Sequence, residues 1–354
     1  MNLLLLEDSQ TDIDACLSSV DTFNDDHGND LHISVAKDID SAKSLLNDEP
    51  FDGAIIDLRI KSDSQAGNTL INFINNLNLR TPVALFTGTP DAASRAFSYI
   101  GVFKKGEKLY KDIFEIFYAV KQTGLQKIMG RKGIIEECLN KVFQKDIIPS
   151  IIQWNALASQ YPLDVERALC RYTLSHLFLS LSNDSESYFP EECYLHIDAC
   201  QFPRSGEIVM KNDSEDLFAI ITPPCDLAVR QDKNKRYYVN VDDIQIIPLI
   251  SIEDMKHKIA ERSSSKKDLH KQWEKICNNN LERYYHFLPP TNDFPGGFLN
   301  FRNVTSISLK KEYSLFSSKH LLISSDFFKD ILSRFSSYYA RPGQPEIRYL
   351  KNKL

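Results

Sequence analysis

The apolar run "NLLLL" at residues 2–6 ends in two adjacent carboxylates, Glu7 and Asp8. Like charges side by side raise each other's pKa, so something positive is expected beside them. Three other short apolar runs end in residues of matching chemistry. "GAII" (53–56) leads into Asp57, "PVALF" (82–86) into Thr87, and "IGVF" (100–103) into Lys104 and Lys105. If the runs are neighbouring strands, three carboxylates, a hydroxyl and an ammonium converge at one edge. Carboxylates grouped in this way suit Mg²⁺, a hard cation that takes oxygen ligands and keeps several waters. The metal would supply the charge that makes the Glu7–Asp8 pair tolerable.

The runs that carry these residues alternate with helical patterns. Strands are expected at 2–6, 31–36, 53–56, 82–86 and 100–103, and helices near 10–22, 38–48, 67–78, 91–98 and 108–122. Asp38 and Asp91 can serve as N-caps, since a side-chain oxygen there accepts from free amides of the first turn. Five strands alternating with five helices imply an α/β fold, a doubly wound parallel sheet covered on both faces. Ligands of such sheets bind beyond the carboxyl ends of the strands, where the polar residues stand.

Taken in order, "LLLLEDSQTD", "FDGAIIDLRI", "VALFTGTP" and "VFKKG" resemble the signatures of receiver domains of bacterial two-component response regulators, which have a flavodoxin-like fold. The resemblance covers about residues 1–124 and rests on the four motifs together, each being weak alone. It implies that Asp57 takes a phosphoryl group from a sensor histidine kinase. It further implies that Glu7, Asp8, Asp57 and the backbone carbonyl of Arg59 bind Mg²⁺, that Thr87 hydrogen-bonds a phosphoryl oxygen, and that Lys105 pairs with it. Phosphoryl transfer asks for such a set, an in-line nucleophile and cations that neutralise the equatorial oxygens. The plainer reading, an ordinary α/β domain with polar strand ends, would need every one of these residue types to fall there by chance.

Several positions depart from the receiver pattern. Lys105 fits the spacing "V-F-x-K", with Lys104 as the neighbouring alternative. Gly106 stands where a proline and its cis peptide are usual. The segment after Asp57, "LRIKSDSQAGNTL", is longer than usual and lacks the common proline. About a dozen residues separate Thr89 from Val102, so the fourth helix is expected to be short. Val102 occupies the aromatic switch position, so signal output through this face is expected to be altered or absent.

Residues 125–189 read as a helical linker with apolar residues at three- and four-residue spacing. Pro149 should break or kink it, Pro162 can begin a helix at its first position, and His176 reads as a packing residue. Such helices either pack on their neighbours or form a homodimer. Residues 190–354 change to short β-rich runs, a mainly-β small barrel with a helical insert at about 253–285 and a C-terminal helix at about 324–339 stopped by Pro342-Gly343. That helix could also form the homodimer contact. Asn212-Asp213 and Phe294-Pro-Gly-Gly read as turns. The basic stretch 255–276 reads as one exposed helix with a solvated face. This part loosely resembles the SH3-type barrels related to PemK and MazF toxins. Cys225 and Asp226 read as a structural thiol and a capping carboxylate; Cys193, His196 and Cys200 with Cys225 have a spacing that could hold zinc, though without a CxxC knuckle.

Of 354 residues, 42% are hydrophobic and 25% charged, ordinary for a globular chain. Residues 1–125 hold 11 Lys/Arg against 19 Asp/Glu and the remainder 31 against 29, so neither part has the basic excess of a nucleic-acid binder. Seven scattered cysteines and no apolar run long enough to span a membrane suit a reducing, cytoplasmic setting. No helix-turn-helix or cyclase signature appears, so the expectation is against a DNA-binding transcription factor. The layout resembles receiver proteins of defensive two-component loci of the Detocs type. The missing output motifs and Val102 at the switch position point to a regulator or phosphate sink, whose only chemistry is the receiver's own at Asp57. The alternative is a phosphorylation-activated effector with a toxin-like, nuclease-type barrel.

Overall fold

The computed structural model describes residues 1–28, 31–181 and 187–341. The chain divides into two compact units, Met1–Asp184 and Ser185–Leu354. Among the described residues no helix is long and apolar enough to cross a membrane.

The first unit opens with β1 (Asn2–Leu6), α1 (Gln10–His27), β2 (His32–Ala36), α2 (Ile39–Asp48), β3 (Gly53–Ile56), α3 (Ala66–Asn76), β4 (Val83–Thr87), β5 (Gly101–Lys104) and α4 (Tyr110–Gln122). The strands form a parallel sheet in the order β2-β1-β3-β4-β5, the flavodoxin-like arrangement. Successive side chains of a strand point to opposite faces, and here both faces are cores. Leu4, Leu6, Ala54, Ile56 and Leu85 pack with Leu46, Leu70 and Ile74 of α2 and α3. Leu3, Leu5, Ile55, Ala84 and Phe86 pack with Ile13, Phe23, Phe114 and Phe117 of α1 and α4. Each leucine of β1 is therefore fully buried, worth about 2 kcal/mol apiece, which explains why the run admits no polar residue. Ser9 caps α1 by accepting from the Asp12 amide at 3.4 Å, and Asp38 caps α2 by accepting from the Ser41 amide at 2.9 Å.

The helix expected at 91–98 is replaced by a single 3-10 turn, Pro90–Ala92, with Asp91 inside the turn rather than capping it. Phe97 and Tyr99, two residues apart, both pack on the α2–α3 side of the sheet. That alternation belongs to extended chain, and it overrides helical propensity here.

Among the described residues this unit continues with α5 (Leu125–Met129), α6 (Ile134–Val142), α7 (Ile151–Ala158) and α8 (Pro162–Leu181). Pro149 lacks an amide donor, and the chain around it loosens into a π turn at Phe143–Ile147 and a 3-10 turn at Ile148–Ser150. The Ser150 hydroxyl donates to the carbonyls of Asp146 (2.7 Å) and Ile147 (3.1 Å), bonding at the break. His176 packs against the Tyr172 ring, centroids 4.3 Å apart.

The second unit is a curled antiparallel half-barrel. Its elements are β6 (Tyr194–His196), β7 (Glu207–Lys211), β8 (Leu217–Ile220), the two-stranded hairpin β9 (Arg230–Gln231) and β10 (Tyr237–Tyr238), and β11 (Asp243–Ile250). Then follow α9 (Ile252–Ala260), α10 (Lys266–Cys277), β12 (Tyr285–Leu288), β13 (Gly297–Asn300), β14 (Thr305–Ser308), β15 (Phe316–Ile323) and α11 (Ser325–Tyr339). The sheet order is β12-β13-β11-β8-β7-β15-β6, with β14 also on β11. Phe328 and Ile331 of α11 seal the core formed by Ile208, Ala219, Ile247, Leu299 and Ile323. The chain turns at Asn212-Asp213 between β7 and β8 and at Phe294–Gly296 between β12 and β13, with Gly297 opening β13. The insert is two helices, not one. Ser265 caps α10 by accepting from the Asp268 amide at 3.2 Å, so the serine run starts a new helix. Both helices bury apolar residues, Met255, Ile259 and Ile276, against Phe298. Pro342 and Gly343 lie outside the described residues.

Candidate functional site

β1 and β3 pair in parallel with Leu6 opposite Ile56, so Glu7 and Asp57 are the next residues on adjacent strands. The Asp57 amide continues the ladder by donating to the Leu6 carbonyl at 3.0 Å. Lys105 leaves β5 with its amide donating to the Thr87 carbonyl at 3.0 Å. β4 lies between β3 and β5, so the Lys105 side chain must reach across the end of β4. Its ammonium stands 2.5 Å from Glu7 Oε2, 2.7 Å from Asp57 Oδ2 and 2.8 Å from Asp12 Oδ2. All three of its N–H donors are thereby engaged.

The cluster sits in a partly dry environment: Glu7 is 1% exposed and Asp57 8%. Burial works against charge on Lys105, but hydrogen bonds to Asp12, Asp57 and Glu7 outweigh it and hold its pKa above the usual lysine value. The Glu7 carboxyl is pushed up, chiefly by burial, although Lys105 and the Ser9 amide (3.0 Å) pull it down. The two directions oppose each other across one ion pair. The asymmetry follows from environment: Glu7 is the more deeply buried, while Lys105 draws on three carboxylates at once.

The other expected residues fall around this cluster. Asp8 Oδ2 accepts from the Lys61 amide at 2.8 Å, which ties it to the loop after β3. Arg59, on the same loop, donates its amide to Asp57 Oδ1 at 3.2 Å. Thr87 closes β4, is buried, and its hydroxyl oxygen accepts from the Thr89 amide at 3.3 Å. Lys104 points elsewhere and pairs with Glu107 at 3.0 Å. Gly106 has φ +88°, which proline cannot adopt, and its peptide bond is trans. Val102 is exposed.

A divalent cation fits the donor chemistry of this edge, since Glu7, Asp8, Asp57 and the Arg59 carbonyl offer only oxygen. Among the described residues no three His, Cys, Asp or Glu side chains stand in a metal-holding arrangement. At this edge the Lys105 ammonium takes the central position. The candidate zinc set is not assembled either: Cys193 is buried, Cys200 and Cys225 are exposed, and His196 stands 3.7 Å from Asp293. Cys225 Sγ has Asp226 Oδ1 at 3.7 Å.

Three residues of the site were not singled out from sequence. Asp12, in the first turn of α1, reads there only as an acid favoured by the helix N-terminus. Gly67, in α3, lets that helix lie against the Asp57 backbone: a Cβ there would stand 2.6 Å from the Asp57 carbonyl oxygen. Tyr110 is buried beside this edge with a hydroxyl lacking a hydrogen-bond partner. Its phenol is kept protonated by burial first, then by neighbouring negative charge including Glu7, Asp12 and Asp57.

No protein-family model matches the chain, and curated proteins provide no match. Among solved structures, the N-terminal third is similar to response-regulator receiver domains. One is the N-terminal domain of a response regulator/sensory box/GGDEF protein from Carboxydothermus hydrogenoformans, 14% identical over 35% of this chain and 99% of that one, TM-score 0.30. The receiver domain of a Pseudomonas aeruginosa sensor histidine kinase, with magnesium coordinated in its active-site cleft, is 15% identical over 33% and 94%, TM-score 0.27. A Francisella response-regulator receiver domain is 19% identical over 34% and 98%, TM-score 0.27.

Proposed function

We propose that this chain is a phosphoacceptor of a two-component system, taking a phosphoryl group on Asp57 from a sensor histidine kinase. The observation that carries the reading is the Lys105 ammonium held between Glu7, Asp12 and Asp57 at the carboxyl edge of a five-stranded parallel sheet. An oxygen of Asp57 attacks the phosphorus, the P–N bond to the kinase histidine breaks, and the imidazole leaves. Lys105 exchanges a carboxylate for a phosphoryl oxygen, and the Thr87 hydroxyl donates to another. Glu7, Asp8, Asp57 and the Arg59 carbonyl would hold Mg²⁺, which would supply positive charge beside the transferring group. Glu7 and Asp8 would orient that cation, and burial at the strand ends keeps competing water away from the acyl phosphate.

The protein acts as a cytoplasmic regulator or phosphate sink, without DNA binding, in the setting of anti-phage defence that its layout resembles. Val102 at the switch position and the 3-10 turn in place of a fourth helix support a sink over a conventional switch. Exposed apolar side chains on α7 and α8, such as Ile152 and Leu179, support a homodimer through these helices. The test is transfer from the partner kinase, with Mg²⁺, to wild type and Asp57→Ala over time. Labelling of wild type alone is expected, with decay fast enough to drain the kinase. Equal labelling of the two, or none of wild type, would refute the reading.

A further inference from the structure

The second unit holds a cavity of about 420 Å³ between the segment after α10 and the outer turns of α11. Its walls include Asn279, Asn280, Arg283, Arg334, Ser337 and Tyr338, and among the described residues no carboxylate lines it. Among the described residues no Asp or Glu pairs with Arg283 or Arg334, and the adjacent Glu282 is engaged by Arg262 at 2.8 Å. Arg334 is fixed in place without being neutralised. One terminal nitrogen donates to the carbonyls of Asn279 (3.1 Å) and Tyr285 (3.2 Å), and its Nε is buried with no acceptor. Two more guanidinium groups gather at Tyr338: Arg302 Nε donates to its hydroxyl at 3.2 Å, and Arg341 stands over its ring at 4.5 Å. Arg302 itself lies 3.6 Å from the centroid of the Tyr284 ring.

The partly buried Arg334 has no carboxylate partner among the described residues and the exposed Arg283 shares its wall, so an anion would meet both. The guanidinium fork matches phosphate oxygens two at a time, and amides and hydroxyls on the same wall add neutral donors. The volume lies within the range of small-molecule sites. We propose that this cavity binds a small phosphate-bearing molecule of nucleotide size, with its phosphates on Arg283 and Arg334. The site is independent of the chemistry at Asp57.

The test is calorimetric titration of the full chain, without divalent cations, using ATP, inorganic pyrophosphate and adenosine as probes. ATP and pyrophosphate are expected to bind and adenosine not to. Arg283→Gln and Arg334→Lys should each weaken pyrophosphate at least tenfold, the second because lysine keeps the charge but loses the fork. Arg283 is exposed, so its substitution reports on binding even if Arg334→Lys loosens the fold. Binding of adenosine as tight as ATP, absence of pyrophosphate binding to wild type, or pyrophosphate binding unchanged in Arg283→Gln would each overturn the proposal.

Discussion

The two units each gather charge, but in opposite senses. At the edge of the parallel sheet one lysine is held by three carboxylates and Asp8 stands close by, leaving an excess of negative charge. At the cavity of the second unit, arginines gather on and beside a tyrosine wall that carries no carboxylate among the described residues. The first cluster is assembled by strand register, which brings together residues 48 and 98 positions apart. The second is held by a helix, a loop and bonds to backbone carbonyls. A cluster in which opposite charges already meet is stable alone and accepts a further cation; one lacking counter-charge needs a ligand to complete it.

That contrast can be broken most forcefully at Lys105. Lys105→Met leaves three carboxylates without their ammonium, and removing one partner of such a buried pair costs about 3–5 kcal/mol. Phosphoryl transfer should fall about a hundredfold or more, as for loss of an electrostatic stabiliser. In denaturant unfolding followed through Trp154, added Mg²⁺ should stabilise the variant more than wild type. Equal stability of both proteins without divalent cations would sink the charge-balance account.

The next effect is steric. Gly67→Ala drives a methyl against the Asp57 carbonyl and should cost about 2–3 kcal/mol, as overpacking does. It should also slow transfer, because Asp57 must move. A variant with wild-type unfolding and labelling would show that α3 yields freely.

The second unit should respond to pH through His286, which is 6% exposed. Burial, with help from the Arg334 charge, lowers its pKa to about 3. Asp330 Oδ2, 3.9 Å away, pulls the other way but is mostly exposed and screened by water. The folded state keeps the ring neutral while the unfolded chain protonates near 6.5, so stability is complete above that pH and is lost as pH falls toward 3. The loss should reach about 2 kcal/mol by pH 5. Trp273, packed on Phe298, reports it by fluorescence, and His286→Phe should flatten the dependence. A wild type equally stable at pH 7 and pH 5 would contradict this.

The smallest effect sharpens the first cluster. Asp12→Asn removes the most exposed of the three carboxylates, at 36%, and should cost about 1 kcal/mol or less. Transfer should change less than tenfold, whereas Glu7→Gln should impair it much more. Similar losses in both variants would mean that Asp12 shares the work assigned to Glu7.

The parallel sheet and its edge were legible because strands buried on both faces leave unbroken apolar runs, and the residues that end them are the ones that meet. Asp38 was legible as a cap for an equally local reason. The stretch 91–98 misled because Phe97 and Tyr99 are set by packing on the sheet, a tertiary demand with no trace in a helical count. The division of the insert lies in a run of three serines whose last member, Ser265, caps α10, a choice that the serine run alone does not mark. The arginine cavity left no pattern, since Arg283 and Arg334 belong to a loop and to a helix that reads as merely amphipathic.

The leucine run of β1 has one further consequence. Because both faces of its sheet are apolar, sliding the strand by one residue would leave its burial almost unchanged, unlike the usual strand with a wet face. The carboxylate that follows would nonetheless shift by about 3.3 Å and turn to the opposite face. Solvation therefore does little to police the alignment, and the number of leucines acts as a measuring stick. What the run is made of secures the fold, while how many residues it contains decides where the charge arrives.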